Sequence, residues 1–372
     1  MHSAMKHRVV AVGAILAATA LLSACSGGGS GGSPSSGSTG GASQTAAQLY
    51  KAAKAEGSIT WYTSMPVATD DAVVAGFEAK YPGIKVTYTQ KAEGPLYQQF
   101  EQEFYGGVAS ADLINLSTYS NVVNAKDNGE VAKYLPPSVE AGVKSKAYPA
   151  GTVDTKGQTW FSVRRYVLAV MYNTNLVDGS NVPTTYKDFT KPFWSGKLGV
   201  GDAQKQAANQ TLYYSMKASL GLGKSFWTDI AKNKPTVFSD AGTFATALAS
   251  GNIAGGTGVD YGGWTQVNAG APIKVVYPAS GAVYAGDFFM LTAKAAHPAA
   301  AKLLLDYLGS KEGASVVEKS GGYTMARTDI TPASSRPATG DIKLIAPDYQ
   351  AATAALSGTV SSWESYLGRP QG

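Results

Sequence analysis

The sequence predicts an α/β protein of two lobes, each a mainly parallel sheet flanked by helices, with a ligand cleft between them. Three observations carry this expectation. Strand-like and helix-like segments alternate through residues 58–116 and again from 197 onward, and strands separated by helices of this length form parallel sheets. Behind a leader ending at residue 44, about 325 residues remain, more than one small core requires. Segments at 163–172 and 282–287 fall where the chain would cross between lobes.

The leader comes first. A basic start (Lys6, Arg8) precedes an apolar run over 9–22, and Leu22-Ser23-Ala24 then sets small residues before Cys25, the one cysteine of the chain. This is the form of a secretory signal peptide, and its ending resembles the bacterial lipobox. That resemblance implies cleavage after residue 24, lipidation of Cys25, and attachment to the outer face of the cytoplasmic membrane or a place in the periplasm. The apolar run is shorter than the roughly 20 residues needed to span a bilayer. Residues 25–44 are mostly Gly, Ser, Thr and Ala, the composition of a flexible tether.

The body begins near Thr45. A short helix over 46–55 ends at Gly57, and 58–62 reads as a buried strand. Thr69 is placed to cap a helix over 70–81 whose Val73, Val74 and Phe77 share one face. Pro82-Gly83 turns into a strand over 84–88; a helix over 95–106 carries Leu96, Phe100 and Phe104 at four-residue spacing; 112–116 is a third strand. In the second lobe, 197–200 and 253–259 read as strands, and 206–220, 225–233 and 241–250 as helices. A return strand over 288–293 and a helix over 298–308 follow, and helical periodicity reappears over 349–366. The expected division is 45–163 with 287–327 as lobe 1 and 164–286 as lobe 2. The lobe joined by 328–372 stays open, and its prolines at 332, 337 and 347 favour irregular chain wrapped on the surface.

Composition narrows the chemistry. Loss of Lys6 and Arg8 with the signal leaves 29 basic residues against 26 acidic ones, a net +3 without basic runs, so nucleic-acid binding is not expected. His2 and His7 leave too, which makes His297 the one histidine of the mature chain. It precedes Pro298 and reads as a helix cap. With no thiol in the body and one histidine, nucleophilic triads and zinc or copper sites are disfavoured; no catalytic residue, resident metal or cofactor is expected.

Several segments, in order, resemble the extracellular solute-binding proteins of bacterial ABC importers, in the branch of ferric-iron, polyamine and phosphonate binders. They are Gly57-Ser58-Ile59-Thr60-Trp61-Tyr62-Thr63-Ser64, Phe77-Glu78-Ala79-Lys80-Tyr81-Pro82-Gly83-Ile84-Lys85-Val86 and Ala111-Asp112-Leu113. Met171-Tyr172-Asn173-Thr174, Trp194-Ser195-Gly196-Lys197-Leu198-Gly199 and the run from His297 to Leu308, continuing into Ser310-Lys311-Glu312-Gly313, extend the match. The resemblance implies the type II periplasmic-binding-protein fold, capture of one small molecule by hinge closure, and delivery to a membrane permease. It implies a monomeric binding protein rather than an enzyme.

Ligands in such sheets sit at the carboxyl ends of strands and near helix N-termini. That rule nominates Ser64 and Met65, Ser117 and Thr118, the polar loop 202–209 with Asp202, Gln204 and Asn209, and Asp260 with Tyr261. Arg164, Arg165 and Tyr166 lie near the first crossing, Tyr284 and Asp287 near the return. Plainer roles compete: the serines can cap helices, Met65 can pack, and one arginine can belong to a structural ion pair. Tyr261 stands out because Gly262 and Gly263 beside it would leave room for a bound group. Tyr213-Tyr214 has the look of a metal pair but sits in a helical pattern with Leu212, Met216 and Leu220.

The iron-binding relatives implied by the resemblance carry a histidine after the first strand, a glutamate after the third and paired tyrosines in the second lobe. Here those places hold Pro66, Ser117 and Tyr261-Gly262, and Tyr166 or Tyr284 would have to make up the ligand set. An organic anion or zwitterion, such as a phosphonate or phosphate ester, suits arginine beside hydroxyls and helix starts. Ferric iron is the alternative, and a secreted hydrolase or a sensor on the same scaffold stands behind it.

Overall fold

The computed structural model describes residues 46–367 other than 109, 110 and 334; the signal, Cys25 and the tether lie outside the described residues. Helix α1 (Ala46–Glu56) leads into β1 (Ser58–Thr63), α2 (Val67–Lys80), β2 (Lys85–Gln90), α3 (Glu93–Gly106) and β3 (Leu113–Leu116). Helices α4 (Tyr119–Asp127) and α5 (Pro137–Lys144) precede the long strand β4 (Phe161–Asn173). The second half runs β5 (Leu198–Gly201), α6 (Ala207–Leu220), α7 (Lys224–Lys232), β6 (Thr236–Phe238), α8 (Ala241–Ala249), β7 (Gly255–Val259), α9 (Asp260–Asn268) and β8 (Ile273–Val276). Strand β9 (Ala282–Leu291) returns to the first half, followed by α10 (Pro298–Gly309), α11 (Lys311–Gly321) and β10 (Thr324–Met325). The chain closes with β11 (Leu344–Ile345), α12 (Tyr349–Ala354) and α13 (Leu356–Tyr366).

The strands lie in the order β2-β1-β3-β9-β4-β7-β5-β6. Parallel pairing holds in the two outer trios, β2-β1-β3 and β7-β5-β6. Between them, β9 is antiparallel to both β3 and β4, and β4 is antiparallel to β7. The sheet is therefore mixed, because β4 carries the chain outward from the first trio and β9 brings it back. Each of these two strands feeds two cores. Phe161, Val163 and Phe289 pack with Trp61, Phe77 and Leu304 on one side, while Leu168, Val170, Val283 and Ala285 pack with Trp194, Leu212 and Trp363 on the other. Full burial of side chains of this size stabilises by roughly 1.5–3 kcal/mol each. The first of these cores also holds residues of β1, β2 and β3, and the second residues of β5 and β7. No described helix is long and apolar enough to cross a membrane.

Local chemistry moves several expected boundaries. Helix α2 starts at Val67, before Thr69, because Pro66 (φ −59°) supplies a fixed entry and needs no N–H partner. Thr69 turns its hydroxyl to Tyr323 at 3.2 Å instead of capping. Helix α3 starts at Glu93 rather than Pro95, since a proline is tolerated in the first turn. His297 does occupy the cap position of α10, but its ring bonds Asp112 at 3.0 Å. The free N–H groups of Ala299 and Ala300 are taken by the Glu56 carboxylate at 3.1 and 2.7 Å. The helical periodicity expected over 349–366 forms α12, which contacts α4 and α6, and α13, which packs on α6 and α7; before them β11, in a stretch expected to be irregular, adds to β9.

Candidate functional site

The carboxyl ends of the strands converge on one cleft of about 250 Å³. From the first trio come Ser64 after β1, Gln90 and Lys91 at the end of β2 with Glu93 opening α3, and Ser117 after β3. From the second trio come Lys205 and Gln206 after β5, Ser239 and Asp240 after β6, and Tyr261 in the first turn of α9. Tyr166 enters from the through strand β4. A cleft at the carboxyl ends of α/β strands, between two lobes, is where this architecture holds small molecules. A second cavity, about 420 Å³, is lined by Tyr213, Trp227 and Trp363 beside α13 and shares no lining residue with this cleft.

Both carboxylates in the lining are tied to helix starts. Glu93 accepts the backbone N–H groups of Ser117 (2.8 Å) and Thr118 (2.9 Å), the Ser117 hydroxyl and the Asn121 amide (3.1 Å), so it covers the N-terminus of α4. Asp240 caps α8, accepting the Thr243 N–H at 2.7 Å and its hydroxyl at 2.9 Å. Helix N-termini favour negative charge, which each carboxylate supplies. The two lysines differ: Lys91 donates to the Gln99 amide oxygen at 2.5 Å, and among the described residues neither Lys91 nor Lys205 joins an ion pair. The Ser64 hydroxyl, though buried, has no partner among the described residues.

Tyr166 and Tyr261 meet edge to face with ring centroids 6.2 Å apart. Burial pushes the Tyr261 phenol up to about 12, against the pull of Arg164. Burial likewise holds the Tyr166 phenol well above its ordinary value, again opposed by Arg164. Both rings are therefore neutral hydroxyls at neutral pH.

Of the residues expected from sequence at the ligand, Ser64, Ser117, Tyr166 and Tyr261 are brought together in the lining. The others are placed behind it. Met65 is fully buried in the first core. Thr118 presents its backbone N–H to Glu93. Arg164 is 1 % exposed and paired with Asp287 at 2.7 Å. Arg165 points the other way along β4, donating to the Ala326 carbonyl at 2.9 Å and lying over the buried Tyr284 ring. Asp202 accepts the N–H groups of Gln204 (2.7 Å) and Lys205 (3.2 Å), and the Asn209 amide holds the Asp202 carbonyl. These two shape the loop that offers Lys205 and Gln206, while the exposed Gln204 is outside the lining. Asp260 is fully buried, receiving the Tyr277 hydroxyl (2.8 Å), the Thr324 hydroxyl and the Val167 N–H.

The glycines after Tyr261 serve packing rather than ligand space. A Cβ on Gly262 would lie 2.8 Å from the Ala241 carbonyl oxygen, and one on Gly263 would lie 2.4 Å from the Met171 sulfur. They let α9 approach α8 and β4. The sequence reading missed Gln90, Lys91, Glu93, Ser239 and Asp240. The strand-end rule finds the first three once it is applied after the second strand, and the last two once Thr236–Phe238 is recognised as a strand.

Residues 113–351 match the family of bacterial extracellular solute-binding proteins. A Haemophilus influenzae protein of uncharacterised role is 24 % identical over 322 residues, covering 84 % of this chain and 91 % of its own length. Among solved structures, the periplasmic binding protein AfuA of Actinobacillus pleuropneumoniae, bound to fructose-6-phosphate, superposes with a TM-score of 0.70 at 20 % identity, over 83 % of this chain and 98 % of its own. Iron-bound HitA of Pseudomonas aeruginosa (TM-score 0.68, 17 % identity, 83 % and 99 % covered) and the ferric binding protein of Campylobacter jejuni (0.68, 20 %, 83 % and 99 %) are similar in the same way. At these identities the likeness concerns the fold.

Proposed function

Because the chain belongs to the bacterial extracellular solute-binding proteins, we propose that it captures a small organic anion or zwitterion, such as a phosphonate or phosphate ester, and delivers it to the permease of an ABC importer. Capture proceeds by closure of the two lobes around the cleft. The protein acts as a monomer, held to the cell envelope through lipid on Cys25, and performs no covalent chemistry on its cargo.

One observation carries the choice of ligand. The lining holds two carboxylates and two lysines, but Glu93 and Asp240 are already bound to the N-termini of α4 and α8. Lys91 and Lys205 are left as the charges open to a ligand, beside the hydroxyls of Ser64, Tyr166 and Tyr261 and the amides of Gln90 and Gln206. Such a set of cations and neutral donors matches an acceptor-rich anion. This basis differs from the one expected from sequence, in which Arg164 and Arg165 touched the anion themselves.

Ferric iron is a second reading, favoured by two features: Glu93 brings a carboxylate to Ser117, where the sequence carries none, and two tyrosines stand in the same cleft. Against it, that carboxylate receives three hydrogen bonds from backbone N–H and side-chain amide groups, and Tyr166 receives one from Arg164. Thermal denaturation of residues 45–372 with phosphonates, phosphate esters, polyamines, amino acids and ferric salts tests the proposal. A ligand at a hundred times its dissociation constant stabilises by ~2.7 kcal/mol, which raises the midpoint by a few degrees. A shift with an organic anion class is expected; a shift with polyamines or ferric salts alone overturns the assignment.

A further inference from the structure

Strand β4 carries one extra residue against β9. Ser162 faces Phe288 and Arg165 faces Gly286, so Val163 and Arg164 together oppose Asp287. Bulges of this kind re-aim side chains next to binding sites. Here the bulge turns Arg164 inward. Its Nε donates to Asp287 Oδ2 at 2.7 Å, its Nη2 donates to the Tyr166 hydroxyl oxygen at 2.7 Å, and its guanidinium lies 4.9 Å above the Tyr166 ring. Asp287 is fixed in turn by Asn115 at 3.0 Å, and Asn115 by the Trp61 indole at 3.1 Å.

A guanidinium only donates and keeps its proton throughout the working pH range. The Tyr166 oxygen is therefore the acceptor in its bond to Arg164, and its own O–H hydrogen remains for another partner. Tyr166 is the member of this chain of bonds that lines the cleft. A hydroxyl that accepts from a cation donates more strongly, because successive hydrogen bonds polarise one another, and more so in a buried setting. Burial of an ion pair as deep as Arg164–Asp287 is seldom the most stabilising choice for a core; directing one hydroxyl gives it a use.

We propose that Arg164 is a positioning residue that makes Tyr166 an obligate hydrogen-bond donor into the cleft, so that the site selects a ligand presenting an anionic oxygen to Tyr166. The inference rests on the organic-anion reading above and adds the atom that reads the anion. It also accounts for specificity: a ligand that offers a hydroxyl or ammonium hydrogen at this point meets a donor that cannot turn round.

Calorimetric titration of residues 45–372 with 2-aminoethylphosphonate, phosphonoacetate and fructose 6-phosphate tests it, using wild type, Tyr166→Phe, Arg164→Lys and the double variant. Loss of a donor to a charged oxygen weakens affinity about tenfold or more, and Tyr166→Phe is expected to do so while still folding, with a midpoint lowered by the few degrees that follow when the buried Arg164 Nη2 loses its acceptor. Arg164→Lys is expected to weaken binding in the wild type and to have no further effect once Tyr166 is Phe. A purely structural arginine would weaken binding equally in both backgrounds, and that result overturns the inference. If Arg164→Lys does not fold, Tyr166→Phe binding the same probe with unaltered affinity overturns it alone. No heat with any of the three probes in the wild type overturns the organic-anion reading itself.

Discussion

The carboxylate of Glu93, at the start of α3, accepts the backbone N–H of Thr118 at 2.9 Å and so places an internal negative charge on the first turn of α4. Two helices from separate strand–helix units are joined at the edge of the cleft by this one side chain. It makes the lobe-1 side of the site less positive than its strand ends would otherwise be.

Replacing that charge should separate its two effects. Glu93→Gln leaves α4 without its counter-charge and is expected to lower stability by about 1–2 kcal/mol in urea unfolding. The same change makes the cleft more positive, so organic anions should bind severalfold tighter at low ionic strength. The gain should vanish near 1 M salt, where charges only a few ångström apart are screened. Equal or weaker anion binding in Glu93→Gln at low salt would contradict the charge argument.

Asp70 offers a test by pH. It is fully buried, accepts the Thr63 hydroxyl at 3.0 Å, and burial pushes its carboxyl up to about 8 although Arg164 opposes the rise. A folded value above the ordinary 3.8 means that the folded state holds this proton more tightly than the unfolded chain does. Its contribution is complete below about pH 4 and is lost as pH rises toward 8. Asp70→Asn fixes the neutral form. It should leave the melting midpoint nearly unchanged at pH 4 and raise it at pH 8; a lowered midpoint at pH 8 would refute this.

The Arg164–Asp287 pair is 1 % and 0 % exposed. Removing one partner leaves an uncompensated buried charge, for which a loss of roughly 3–5 kcal/mol is expected. Arg164→Met with Asp287→Leu removes both charges and should be more stable than Arg164→Met alone, as read by urea midpoints. Strict additivity of the two single losses would show that the residues do not act as a pair.

Packing under Tyr261 is testable at Gly263. A Cβ there would lie 2.4 Å from the Met171 sulfur and 2.9 Å from Val275. Gly263→Ala should cost about 1–3 kcal/mol by overpacking and move α9, with weaker ligand binding as a consequence. Wild-type stability with weakened affinity in Gly263→Ala would restore the glycines as space for a ligand.

Much of the frame was legible in sequence because it rests on local chemistry. Gly57, Pro82-Gly83 and the four-residue spacing of Leu96, Phe100 and Phe104 mark their own turns and faces, and the strand–helix alternation marks the parallel trios. The antiparallel centre was not legible, since it follows from β4 and β9 pairing across more than a hundred residues. At the site, the strand-end rule reaches Ser64, Ser117 and Tyr261 but cannot tell whether a carboxylate there turns outward or inward. Asp202 and Asp260 turn inward to hold backbone and hydroxyl groups. Arg164 reads as a ligand contact until Asp287, 123 residues on, is seen to claim it. Glu93 is reached by applying the strand-end rule after β2, but its inward turn is not, because its partners, Ser117 and Thr118, belong to another strand–helix unit.

An organic anion held in this cleft should travel with the protein as it is isolated. Native mass spectrometry of the full-length protein, released from its own membranes in mild detergent and then denatured to free its cargo, tests that most directly. A small phosphorus- or carboxylate-containing molecule is expected, which leaves on denaturation and rebinds to restore the native adduct. An iron adduct with visible tyrosinate absorption, rebuilt by ferric salts alone, would contradict it.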